Sequence, residues 1–191
     1  MRIFVAGATG VVGIPLVRLL LAAGHTVAGM TRSEGKIETL RALGAEPVFC
    51  DVYDAAALER AVVAFRPDAV IHELTDLPDD PSELRTASQA NARIRDEGTR
   101  NLIAAAEAAG ASRFLAQSIA FAPGGGVSVE GHERAVLDAG GVVLRYGYFY
   151  GPGTYHPDDR APDPAIHVEE AARRTVEALD APSGVIEVVE A

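Results

Sequence analysis

Lysine is nearly missing from this sequence: of its 17 basic residues only Lys36 is a lysine, and the rest are arginines. Chemistry that needs an ammonium group anywhere but position 36 is therefore excluded. The single cysteine, Cys50, permits no internal disulfide and matches no zinc-ligand spacing, so no bridge or cysteine cluster supports the fold, and a reducing, cytoplasmic setting is expected. Positive charge is also short. With 27 acidic residues the net charge is −10, opposite in sign to a phosphate-backbone binder, which argues against nucleic acid or an anionic membrane as partner. No apolar run approaches the roughly 20 residues of a membrane helix. Met1-Arg2 leads straight into Ile3-Phe4-Val5-Ala6, so no signal peptide is expected.

What is present suits one domain over residues 1–191: 48% of residues are hydrophobic and 23% charged. Short Val/Ile-rich runs alternate with longer Ala/Leu-rich stretches, the pattern of an α/β fold with a doubly wound parallel sheet of about seven strands. Strands are expected at Arg2 to Ala6, His25 to Thr31, Glu46 to Cys50, Ala69 to His72, Arg113 to Gln117, Val142 to Arg145 and Val185 to Val189. Helical patterns fall at Val11 to Ala23, Ile37 to Leu43, Ala55 to Phe65, Ser88 to Ala109, Val129 to Asp138 and Val168 to Leu179, with Gly24, Gly44 and Gly110 as stop signals. Leu77 to Pro81 and Tyr155 to Pro164 read as loops. The five histidines show no ligand pairing that would suggest a metal.

The first expected strand runs into Gly7-Ala8-Thr9-Gly10-Val11-Val12-Gly13. In a G-x-x-G-x-x-G turn between strand and helix, one glycine makes the tight bend, one lets backbone N–H groups approach a pyrophosphate, and one lets the helix pack on the strand. The helix N-terminus then offers unpaired N–H groups and a positive dipole end to the anion.

With this turn, Cys50-Asp51-Val52, Val70-Ile71-His72, Gly98-Thr99-Arg100-Asn101-Leu102, Leu144-Arg145, Tyr150-Gly151-Pro152-Gly153 and His167 to Ala171 follow in order. In this order they resemble the short-chain dehydrogenase/reductase superfamily, in its extended and atypical branches, which include the NAD-dependent epimerase/dehydratase family. The resemblance implies a Rossmann-like fold with Gly7, Thr9, Gly10, Val11, Val12 and Gly13 on the pyrophosphate. It also implies Asp51-Val52 at the adenine, and Leu74 and Thr75, next to Glu73, lining the cofactor beyond the fourth strand. His72 reads as a structural histidine.

Relatives that take NAD carry an acid about 20 residues past the glycine turn to accept from the ribose 2′-OH. Here Thr31-Arg32 stands at that place. A guanidinium holds a 2′-phosphate through a charge-assisted fork, and no carboxylate opposes it, so NADP(H) is the expected cofactor, with Lys36 as a second contact.

The chain departs from the superfamily where chemistry occurs. Extended members pair a Ser/Thr with Tyr-x-x-x-Lys, whose lysine activates the tyrosine as proton donor. Ser118 matches the Ser/Thr, but the tyrosine and lysine positions align with Gly125 and Val129. Tyr146 and Tyr148, in the segment that reaches nicotinamide and substrate in the family, are the candidate pocket or acid residues. His132 reads as an exposed helical histidine, and Glu169 or Glu170 as structural. The extended relatives carry a further substrate region after the last strand that is truncated here, so an open substrate side is expected unless a second subunit covers it. The helices Ser88 to Ala109 and Val129 to Asp138 suit a four-helix homodimer, as in related families. Three readings remain: an NADP(H)-dependent oxidoreductase on a small organic carbonyl or hydroxyl compound with Ser118 as hydrogen-bond donor, a non-redox epimerase, dehydratase or cyclase, and a nucleotide-sensing protein without turnover.

Overall fold

The computed structural model describes residues 1–78, 80–84, 88–121 and 127–190. Strand β1 (Arg2–Ala6) begins a seven-stranded sheet and leads through the glycine turn into α1 (Gly13–Ala22). Then come β2 (Thr26–Thr31), α2 (Ile37–Leu43), β3 (Glu46–Phe49), α3 (Ala55–Phe65) and β4 (Ala69–His72). Next, α4 (Ser88–Arg93) and α5 (Thr99–Ala108) flank a π-helical turn, Ile94–Gly98. The second half holds β5 (Arg113–Ile119), α6 (Val127–Asp138), β6 (Val142–Tyr146), β7 (Tyr148–Tyr150), β8 (Ala165–His167), α7 (Val168–Glu177) and β9 (Gly184–Val188).

The sheet order is β3-β2-β1-β4-β5-β6-β9, and every pairing in it is parallel. Because both faces are covered, the strands are continuous apolar runs whose alternate residues serve opposite layers. Ile3, Val5, Ile71, Leu115 and Leu144 meet Leu16, Leu20, Leu40, Ala171 and Ala172 from α1, α2 and α7. Phe4, Val70, Ala116 and Val143 meet Leu58, Val62, Leu102, Ala106 and Val136 from α3, α5 and α6.

The seven expected strands are all present, with ends shifted by a residue or two. The small parallel pair β7 and β8 was not foreseen, because three-residue strands carry too few residues to show a period. The long helix expected from Ser88 is interrupted by the π turn. No helix among the described residues is long and apolar enough to cross a membrane.

Candidate functional site

In a doubly wound sheet, ligands settle in the crevice outside the C-terminal ends of the strands where the order reverses. Here that switch point lies between β1, which connects outward to β2, and β4, which connects outward to β5. The glycine turn leaves β1 at this place. Gly7 has φ +88°, and a Cβ on it would lie 2.7 Å from the carbonyl carbon and oxygen of Glu73, just past β4. A Cβ on Gly13 would lie 2.1 Å from the Gly7 oxygen. Both positions thus need glycine for the turn to close between α1 and β4. No side chain caps α1 and no acid stands in its first turn; Ile14 N–H already donates to the Gly10 carbonyl and Pro15 has none, so the dipole end and the N–H groups of Val12 and Gly13 are what the helix offers an anion. The cradle fits the pyrophosphate of a dinucleotide.

The strand ends around this cradle hold the other expected binding residues. Thr9 and Thr31 place their Oγ1 atoms 3.2 Å apart, tying the turn to the end of β2. Arg32 is exposed, and its Nη2 lies 2.5 Å from Asp76 Oδ1. That hydrogen bond is the main cause of its raised pKa. Asp76 is held in turn by its backbone N–H, which donates to Asn91 Oδ1 on α4. Asp51 Oδ1 accepts from the Tyr53 N–H, while Val52 is buried, with its carbonyl accepting from Asn101 Nδ2. The Leu74 carbonyl accepts from Gln117 Nε2, and Thr75 is exposed. Asp76 was missed because nothing in its local sequence marks a partner 44 residues from Arg32.

Below the α5–α6 side of the crevice runs a buried polar chain. His132 Nε2 is 2.8 Å from the Gln117 carbonyl, which can only accept, so this nitrogen carries the proton. Its Nδ1, 2.7 Å from Thr99 Oγ1, then accepts the threonine hydroxyl. Thr99 accepts from His72 Nε2 at 3.1 Å, and His72 Nδ1 accepts from the Leu74 N–H. Every group is satisfied with both imidazoles neutral, and burial lowers both pKa values. His132, expected to be exposed, is 1% accessible. Its face of α6 turns inward because Thr99 and Gln117 supply its polar partners.

Ser118 is also buried, and its hydroxyl donates to Glu133 Oε1 at 2.6 Å. Glu133 receives a two-pronged bond from Arg145, with Nε to Oε1 at 2.9 Å and Nη2 to Oε2 at 2.6 Å. Arg145 is the main reason the Glu133 carboxyl lies below its usual range. The Ser118 proton that the sequence assigns to a substrate is therefore held by Glu133. Val129 is buried, and Gly125 lies outside the described residues.

The two tyrosines separate. Tyr148 is 39% exposed and stacks on Phe121 with ring centroids 3.8 Å apart, presenting an aromatic wall. Tyr146 is buried, its hydroxyl 2.9 Å from Glu73 Oε1 and 2.6 Å from Thr175 Oγ1. Burial, followed by the proximity of Glu73, raises its phenol well above the usual tyrosine range.

Comparison with known proteins agrees with this geometry. Residues 7–137 match the model of a family described as NAD(P)H-binding. The chain is 42% identical, over 83% of its length, to the 3-diazoavenalumate denitrifying reductase of a Streptomyces species, and spans 60% of that relative. Two solved structures share the fold. UDP-glucose 4-epimerase of Thermus thermophilus, in complex with NAD, superposes with a TM-score of 0.78 at 21% identity, covering 99% of this chain and 78% of its own. The UDP-Glc/GlcNAc 4-epimerase of Campylobacter jejuni gives 0.81 at 17% identity, covering 98% and 78%. With its glycine cradle at the switch point and most of its length within the family model, this chain belongs to the NAD(P)H-binding family.

Proposed function

We propose that the protein is an NADP(H)-dependent reductase acting on a small organic carbonyl compound. The observation that carries the cofactor choice is Arg32 at the tip of β2, where an acid would receive the 2′-OH of NAD. On binding, a 2′-phosphate would take over the guanidinium from Asp76, exchanging one charge-assisted partner for another. A reductase at 42% identity supports net redox chemistry over epimerisation. The exposed Tyr148–Phe121 stack offers an aromatic surface to a substrate. The nicotinamide would supply hydride, and the protein would position it and the substrate.

Titration with NADPH and NADH, followed by nucleotide fluorescence and repeated on Arg32→Asp, tests this. Preference for NADPH that is lost or reversed in the variant supports the assignment. Equal affinity for both nucleotides, unaffected by the substitution, overturns it. NADPH binding without consumption against any carbonyl compound favours the nucleotide-sensing alternative, which the burial of Ser118 against Glu133 suits.

A further inference from the structure

Among the described residues one side-chain polar atom is buried with no hydrogen-bond partner, the hydroxyl oxygen of Tyr53. A buried hydroxyl has given up water, and leaving it unpaired costs stability unless something outside the chain completes it. Tyr53 stands past the end of β3, where its N–H donates to Asp51 Oδ1 at 3.0 Å. The guanidinium carbon of Arg93, on α4, lies 3.8 Å from the centroid of the tyrosine ring. Arg93 is itself held by Glu97, with Nε to Oε2 at 2.7 Å and Nη2 to Oε1 at 3.2 Å. The ring is therefore fixed by its backbone anchor on one side and by a tethered cation on the other.

The same helix reaches the nucleotide-reading arginine. Two residues before Arg93, Asn91 accepts from the Asp76 N–H, and Asp76 holds Arg32. The loops after β2, β3 and β4 thus meet at α4 with Arg32, Tyr53, Asp76 and Arg93 gathered together. Burial raises the Tyr53 phenol above the usual tyrosine range and Asp76 adds to it, while Arg93 and Arg32 pull the other way. Tyr53 is in turn among the groups that act on Arg32. The phenol accordingly keeps its proton at neutral pH and has it to donate. Two guanidinium groups and one unspent hydroxyl proton suit an anion. Asp76 stands in for part of that anion, since its carboxylate occupies the guanidinium of Arg32 beside the phenol.

We propose that Tyr53 is a second specificity-determining residue for the nucleotide: its hydroxyl donates to the adenosine 2′-phosphate that Arg32 holds, and Arg93 is the positioning residue of its ring. The role rests on the NADP(H) reading above and deepens it. NADH presents only a neutral 2′-hydroxyl at this place, which gains less from a guanidinium or a phenol than a phosphate does. Tyr53 therefore adds discrimination between the two nucleotides, beyond what Arg32 supplies.

Calorimetric titration of the full chain with NADPH, NADH and 2′,5′-ADP tests this in the wild type, Tyr53→Phe and Arg93→Met. Phenylalanine keeps the ring beneath Arg93 and deletes only the hydroxyl. It should weaken NADPH and 2′,5′-ADP about tenfold or more, the scale of one hydrogen bond to a charged group, and leave NADH within about twofold. Without nucleotide, Tyr53→Phe should melt no lower than the wild type, because the hydroxyl it removes has no partner there. Arg93→Met should also narrow the ratio of NADPH to NADH affinity, whereas a merely structural role would weaken both nucleotides alike. Equal weakening of NADPH and NADH in Tyr53→Phe, unchanged NADPH affinity, or a lower melting temperature of the free variant each overturns the phosphate contact while the NADP(H) reading stands. A wild type that binds NADPH no more tightly than NADH overturns that reading and the role of Tyr53 with it.

Discussion

Glu73→Gln should change how stability depends on pH, with no substrate or nucleotide involved. Glutamine preserves the shape of the acid and its amide oxygen can accept from Tyr146 as the carboxyl oxygen does, but it cannot ionise. In the wild type burial raises the folded-state pKa to about 8 from an ordinary 4.5, so between these values the native state holds a proton that the unfolded chain has released. Stability from this group is complete below pH 4.5, declines as pH rises, and levels off above 8. From pH 6 to pH 9 the native carboxyl gives up its proton across about two pH units of linkage. At about 1.4 kcal/mol per unit, the wild type loses about 3 kcal/mol from this group alone. All other titrations are shared by the variant, so urea unfolding of both proteins at pH 6 and pH 9 isolates the effect. The glutamine variant should gain on the wild type by about 3 kcal/mol over that interval. Parallel losses in the two proteins would refute the buried neutral acid.

Arg145→Met should cost about 3 kcal/mol, since it strands the Glu133 carboxylate among buried groups, and Glu133→Gln in the same chain should restore part of it; denaturant midpoints decide. The depressed Glu133 pKa implies stability that is present above the ordinary carboxylate range and lost as pH falls through and below it, a dependence that Glu133→Gln should flatten. Thr99→Val, which removes the hydroxyl joining His72 to His132, should cost about 1–3 kcal/mol in thermal or denaturant unfolding. Gly13→Ala should abolish NADPH binding in a fluorescence titration and lower the melting temperature, because its methyl would collide with the Gly7 carbonyl.

The frame of the molecule was readable from the sequence because its signals are local and repeated. The glycine spacing before α1, the apolar strand runs and the glycines ending α1, α2 and α5 each stand within a few residues of what they determine. The site was readable in part. Arg32 was expected to contact the nucleotide from its place after β2, while its pairing with Asp76 joins two loops through the fold. Ser118 was singled out by position, yet its proton goes to Glu133, 15 residues on, which only the docking of α6 on β5 reveals. Glu73 fell within a stretch expected to line the cofactor. Its carboxyl accepts from Tyr146, 73 residues away, which in turn meets Thr175, and no spacing rule connects three residues from the end of β4, from β6 and from α7.

The π turn at Ile94–Gly98 acts as a phase setting for the rod that contains it. A π turn accommodates one extra residue, and each residue rotates a helix by about 100°, so α4 is offset in azimuth from α5. Side chains before the turn, Asn91 and Arg93, therefore reach the loops after β4 and β3, where Asn91 anchors Asp76 and Arg93 covers the Tyr53 ring. Those after it, Thr99 and Asn101, reach His72 at the end of β4 and the Val52 carbonyl. Removing a single residue from the turn would leave α5 seated and swing Asn91 away from Asp76, releasing the carboxylate that restrains Arg32. The length of one helical turn thereby governs how firmly Arg32 is held.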